Sequence, residues 1–256
     1  SLDARLTDVL PGTPSYMHSV TIRHLMNHTS GIIDYEDLIP DSQTMQVLDK
    51  DVLRLLQGID SVYFPPGAKF KYSNSGYSLL ALVVEAVSGQ PFAQFLKKNI
   101  FEPLGMNHTV AYENGISTVN SRAYGYSRTD SGFVRTDQSV TSAVLGDGGI
   151  YSSVDDLFKW DQALYTESLV HASLFQEAVT PAQLNDGSRT DYGFGWYVEP
   201  HQKSTWFFHT GSTRGFRNAI IRLPDQRFTV VILTNRNEGE PIEIAKNIVN
   251  LIFGKL

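Results

Sequence analysis

The chain of 256 residues is 41% hydrophobic and 19% charged, with a formal net charge of -6 at pH 7, enough for a sizeable globular core in one large domain or two small ones. That balance leaves no basic footprint for nucleic acid, and no block of like charges marks a polyanionic or membrane partner. The absence of cysteine excludes a disulfide framework, a thiol nucleophile and Cys-ligated zinc, and no run of 18 apolar residues spans a membrane.

The opening "SLDARLTDVLPG" has neither the basic n-region nor the apolar h-region of a signal peptide, and it reads as the inside of a domain rather than its start. Helix signals follow in chain order. Thr21 caps "IRHLMNH", "MQVLDKDVLRLLQG" stops at Gly58, "GYSLLALVVEAVSG" stops at Gly89, and "PFAQFLKKNIFEPLG" opens on Pro91. Ser153 then opens "SVDDLFKWDQAL", with Asp156 at the third helical position in an imperfect capping box. Beyond this the pattern changes to β-branched and aromatic runs, "STWFFHTG", "FRNAIIRLP" and "RFTVVILTN", separated by Gly-rich and Pro-Asp turns. These predict an antiparallel meander, with the amphipathic "PIEIAKNIVNLIFGKL" covering one face. With no repeat or linker, the expectation is one α+β unit over 1–256, helical over about 15–185 and a sheet with its helix over about 190–256.

Two stretches carry candidate chemistry. Tyr72-Ser73-Asn74 stands at the entry of the most apolar helix, where developing negative charge is favoured and a tyrosine among cations can act as a base; the same residues also serve simply as caps. In "WFFHTGSTRGF", a strand ends in His209-Thr210-Gly211, and the backbone N–H of Ser212 is a candidate oxyanion donor; a polar β-turn is the plainer reading. His24 and His28 have the i, i+4 spacing of a zinc helix, but Leu25 occupies the place of the glutamate, so both read as residues closing a helix end and no metal is expected. Gly148-Gly149 in "GDGGIYSSVDD" reads as a close-packed turn rather than a phosphate loop.

Taken in order, "TIRHLMNHTSGI", "YSNSGYSLLALVVEAVSGQPF", "IFEPLGMNHT", "GDGGIYSSVDDLFKW", "YGFGWYV" and "HTGSTRGFRNAIIRLPDQRFTVVILTNR" resemble the serine β-lactamase and penicillin-binding-protein superfamily over nearly the whole chain. The nearest branch is the class C-like one, with its esterases and D-amino-acid peptidases. The resemblance implies that Tyr72-Ser73-Asn74 is the second motif and His209-Thr210-Gly211 the third. Tyr72 then becomes the general base and acid, Asn74 a ligand for the substrate amide, and Ser212 N–H half of the oxyanion hole. It further implies a small ester, amide or β-lactam substrate and no cofactor. Export to the periplasm or exterior is suggested by the resemblance alone.

Three departures qualify this. No serine or threonine is followed by lysine three positions later, so the Ser-x-x-Lys nucleophile is absent, and the expectation is that the family's first strands and central helix precede Ser1 and are needed to complete the fold. The alternative is a non-catalytic relative that keeps the pocket. Where the resemblance calls for lysine in the third motif stands His209, mostly neutral near pH 7. Where it calls for asparagine and arginine further on stand Glu240 and Glu243, although Arg214 and Arg217 can compensate. These favour short esters or peptide-like amides over penicillins and cephalosporins.

Overall fold

The computed structural model describes residues 1–201 and 204–254. The helical part holds α1 (Leu6–Val9), α2 (Ile22–Met26), α3 (Asp49–Gln57), α4 (Asn74–Ser88) and α5 (Phe92–Leu96). Its core gathers Leu6, Leu25, Ile32, Tyr35, Leu56 and Leu79, all essentially buried, each apolar side chain contributing about 1.5–3 kcal/mol by leaving water. The helix α4 is central because "LLALVV" is apolar almost all round and must be covered on several sides. It ends where Gly89 takes the left-handed φ of 69°. α5 starts after Pro91 as expected, but its continuation over Lys97–Phe101 is a wider π turn rather than α-helix.

The sequence placed His24 and His28 together at a helix end; the structure separates their roles. His24 belongs to the start of α2, where Thr21 N–H donates to its Nδ1 (3.2 Å) and Thr21 Oγ1 accepts its N–H (3.3 Å). α2 stops at Met26, and His28 lies past the end with φ 56°, where glycine is usual. His28 N–H bonds Leu25 O and Thr29 N–H bonds His24 O, closing the helix as a Schellman turn.

Two short strands, β1 (Val110–Ala111) and β4 (Ile150–Tyr151), pair around a hairpin of β2 (Tyr126–Thr129) and β3 (Gly132–Arg135). α6 (Val154–Ala163), with the expected Ser153 cap on Asp156 N–H, and α7 (Ala172–Ala178) lead into the sheet. Of the two glycines read as a tight turn, Gly149 is tight, since an added Cβ would lie 2.9 Å from Val144 O, whereas Gly148 faces open space.

The predicted meander is a four-stranded antiparallel sheet in the order β5 (Tyr197–His201), β6 (Ser204–Thr213), β7 (Phe216–Leu223), β8 (Phe228–Thr234). Alternation gives it two apolar faces. Trp206, Phe208, Ile221, Leu223 and Val230 pack against Ala245 and Val249 of α8 (Pro241–Phe253), the terminal helix expected from the sequence. Lys255 and Leu256, at the end of that predicted helix, lie outside the described residues. The opposite face, with Phe207, Ile220 and Arg222, meets α6 and α7. Helices grouped on an antiparallel sheet make the α+β class read from the sequence.

Candidate active site

The entry to α4 is fixed to the segment before it rather than capped by itself. Asp34 Oδ2 accepts Asn74 N–H (2.7 Å), Tyr35 N–H donates to Ser75 Oγ (2.8 Å), and Ser75 Oγ donates to Ile33 O (2.8 Å). Gly76 is glycine because α2 crosses here: a Cβ would stand 3.2 Å from Leu25 O. Asn74 Nδ2 faces Glu36 Oε1 at 3.5 Å. The loop 146–149 closes the other side, with Gly146 so near Tyr77 O that a Cβ would meet it at 2.4 Å.

Tyr72, immediately before this entry, is 37% exposed and packs on an aromatic cluster. Its ring centroid lies 4.0 Å from His28, 6.0 Å from His209 and 6.2 Å from Tyr192. His28 is buried, its Nδ1 accepts Ser73 N–H (3.3 Å), and burial followed by the charge of His209 depresses its pKa to about 3. The Tyr72 phenol is pushed up to about 12, first by burial and then by Tyr197, Asp147 and Asp34, none of which is a cation. In this environment Tyr72 holds its proton at neutral pH.

The third motif lies on β6 where its neighbour has ended. The β5–β6 ladder stops at the pair Tyr197–Phe208, and its register puts Pro200, which has no N–H, opposite Thr205. A non-donating proline there requires Thr205 to be a non-bonded pair, so the even residues up to Phe208 bond β5 through Trp206 and Phe208. The two-residue Arg214–Gly215 hairpin makes Thr213–Phe216, Gly211–Asn218 and His209–Ile220 the bonded pairs with β7. Thr210 and Ser212 therefore turn their backbone N–H and C=O groups to the β5 side, beyond the end of β5. Their side chains are exposed and alternate to the α8 face, while His209 and Gly211 share the face of Phe207, toward Tyr72. Gly211 leaves that face clear, the nearest contact of an added Cβ being Asn218 at 3.7 Å.

His209 is enclosed: Tyr192 Oη lies 3.0 Å from Nε2, and Nδ1 lies 2.7 Å from Thr210 O. Burial lowers its pKa. The candidate residues Tyr72, His209, Gly211 and the Ser212 edge thus converge, with Asn74 one step along α4. Glu240 and Glu243 start α8, which covers the opposite face of the sheet from the His209 ring. Arg217 is taken up by the carbonyls of Thr213 (2.9 Å) and Phe216 (2.8 Å).

Sequence reasoning missed four members of the candidate site: His28, Tyr77, whose ring lies 5.1 Å from that of His28, Tyr192, and the buried acid Asp147, which accepts Tyr35 Oη–H (2.7 Å) and whose pKa is raised to about 8, mainly by burial. Tyr192 stood inside the motif "YGFGWYV", and only its pairing with His209 was not legible there. Among the described residues no cluster of three His, Asp or Glu side chains has the arrangement of a metal site, and no single helix is long and apolar enough to cross a membrane. Two grooves elsewhere, beside α3 and between α6, β8 and α8, are not lined by any of these site residues.

The β-lactamase family model matches residues 1–254. Penicillin-binding protein 4* of Bacillus subtilis (strain 168) is 36% identical over 265 residues, covering 96% of this chain and 58% of that protein. A D-aminopeptidase of Gluconobacter oxydans (strain 621H) is 26% identical, covering 96% of this chain and 46% of that protein. The chain thus spans about half the length of the curated relatives it matches. An octameric penicillin-binding protein homologue from Pyrococcus abyssi superposes with a TM-score of 0.84 at 26% identity, over 100% of this chain and 60% of that one. A penicillin-binding protein from Bacillus halodurans gives 0.82 at 29% identity, over 99% and 78%. With the family model matching residues 1–254, the chain belongs to the β-lactamase family.

Proposed function

We propose that this chain carries most of the substrate pocket of a serine acyl hydrolase acting on esters or peptide-like amides, with the attacking serine supplied by sequence outside these 256 residues. The observation that carries the reading is the approach of Tyr72 to His209, their ring centroids 6.0 Å apart, next to the stretch of β6 from His209 to Thr213 that β5 does not cover. An extended substrate pairs with that edge, and the Ser212 N–H faces the developing oxyanion. Asn74 receives the substrate amide or carbonyl. The serine oxygen adds to the acyl carbon, and the bond to the leaving group breaks as the serine proton passes through Tyr72 to that group; water then adds to the acyl-enzyme, the acyl–serine bond breaks, and a water proton returns to the serine oxygen by the same route. A phenol held up at about 12 without a cation is a poor base, so the reading requires a cation next to Tyr72 from the segment that brings the serine. The relatives named as a D-aminopeptidase and penicillin-binding proteins support acyl transfer to or from peptide-like amides.

The test is labelling with a fluorophosphonate and a fluorescent penicillin, followed by peptide mapping, on the complete gene product and on the 256-residue chain. The expected result is one labelled serine in the complete protein, outside these residues, and none in the chain alone. Labelling of Ser73 or Ser212 in the isolated chain contradicts it. A complete protein with an intact pocket and no labelled serine supports the second reading, a binding or regulatory relative, which the absence of Ser-x-x-Lys from this sequence favours.

A further inference from the structure

His28 holds the chain on both sides of Tyr72. Its carbonyl accepts Lys71 N–H (3.0 Å) and its Nδ1 accepts Ser73 N–H (3.3 Å), so the residues before and after the tyrosine are tied to one histidine. A backbone N–H can only donate, so Nδ1 is an acceptor and the proton of the neutral ring is on Nε2. That nitrogen is buried and has no hydrogen-bond partner among the described residues. What surrounds the ring is aromatic: Tyr72 and Tyr77 lie at 4.0 and 5.1 Å, tilted by 34° and 31°, while Tyr192 at 4.9 Å and Phe70 at 6.2 Å stand more nearly perpendicular. Tyr77 is anchored in turn, its hydroxyl donating to Met26 O at the end of α2 (2.8 Å). The titratable groups facing His28 are thus Tyr72, Tyr77 and Tyr192, and a charge on His209 opposes its protonation, so the ring is neutral at pH 7.

Three demands meet at this position. The backbone at φ 56° tolerates histidine or asparagine better than phenylalanine or leucine. Ser73 N–H needs an acceptor, which phenylalanine lacks, and the Tyr72 ring packs on a flat surface, which asparagine lacks. Histidine meets all three and leaves one buried N–H without a partner. We propose that His28 is the positioning residue of Tyr72: through its carbonyl, its Nδ1 and its ring face it fixes the phenol and keeps water from one side of it. The inference rests on the acyl-hydrolase reading for its kinetic consequence, and the ring arrangement is measurable without turnover. His28 itself supplies no charge. A fixed phenol with one dry side responds more strongly to the cation that the serine-bearing segment has to bring, because the attraction is larger where water is excluded.

Two measurements on the complete protein test this. The first is 15N NMR of the histidine rings between about pH 5 and pH 8, with His28 assigned through its backbone. The expected signature is a neutral ring with its proton on Nε2 throughout, and a ring protonated at Nδ1 or at both nitrogens overturns the proposal. This signature uses the wild type and stands whether or not a variant folds. The second is a cycle of His28→Asn and Tyr72→Phe, read as the rate of serine labelling by a fluorophosphonate. Asparagine tolerates the left-handed backbone and offers an oxygen to Ser73 N–H, so what it removes is the ring. Beside Tyr72, His28→Asn should slow labelling by about 10–100-fold; in the Tyr72→Phe background it should slow it further by less than about threefold, since a residue acting through the phenol has nothing left to position. Equal factors in the two backgrounds mark a general structural role, and an unchanged rate beside Tyr72 marks none; either result overturns the proposal. If the complete protein labels no serine, the acyl-hydrolase reading fails, and the ring signature alone decides the placement of His28.

Discussion

Tyr72 is the residue on which most of the proposed chemistry turns, and its surroundings define what it can do. A phenol at about 12, packed on a neutral His28 and lacking a cation, keeps its proton at neutral pH and is ready to donate a hydrogen bond rather than to act as a base. In the complete protein Tyr72→Phe is expected to lower kcat by about 10²–10⁴-fold with little change in stability, because only the hydroxyl is lost. Steady-state kinetics with parallel urea titrations check this, and near wild-type kcat with an unchanged pH profile would return Tyr72 to a packing role. The identity of Tyr72, Asn74 and His209 was legible because a polar triplet before an apolar helix and a His-Thr-Gly before a hairpin are local patterns. The partners of these residues were not. His28 looked like a helix-end histidine, and nothing in its spacing showed that a Schellman turn with φ 56° would aim it under Tyr72.

Between elements, the join of α6 to the sheet combines apolar packing of Trp160 with a buried ion pair. Arg222, 0% exposed on β7, donates through Nε to Asp161 Oδ1 on α6 (2.5 Å), and Thr229 Oγ1 donates to the same oxygen (2.7 Å). Removing the acid strands a buried guanidinium, so Asp161→Ala should cost about 3–5 kcal/mol, and Asp161→Leu combined with Arg222→Met should recover much of it. Urea denaturation of the three proteins measures this; a loss below about 1 kcal/mol for Asp161→Ala would show that Arg222 finds other partners. At this scale the sequence was read well where one period dominates. α4, β6, β7, β8 and α8 appear where apolar spacing predicted them, since each buries a full stripe or face. β5 and the β2–β3 hairpin were not foreseen. Pro200 and the glycines of "YGFGWYV" disguise the edge strand, and the hairpin is too exposed to show alternation.

For the whole molecule, the group with a large consequence for acid–base behaviour is Asp147. Its folded pKa of about 8 lies above the ordinary carboxylate value near 4, so the fold favours its protonated form. The contribution is complete below about pH 4 and is lost as pH rises through about 8, which gives this site a stability that falls toward alkaline pH. Asp147→Asn keeps an acceptor for Tyr35 and removes the titration. Its stability relative to wild type should therefore improve between pH 5.5 and 8.5 by at least about 1 kcal/mol, read from urea midpoints at the two pH values; a constant difference would place the raised pKa elsewhere. The sheet itself has a consequence for the order of assembly. Every pairing in β5-β6-β7-β8 joins neighbours in sequence, so each hairpin closes a loop of only a few residues and pays little chain entropy. The candidate pocket instead joins His28, Tyr72, Tyr192 and His209, which are far apart in the chain. Its closure carries the larger entropic cost, so the candidate pocket is expected to form after the sheet and to open before it, which amide exchange at Tyr72 and His28 compared with the β6–β7 ladder would read.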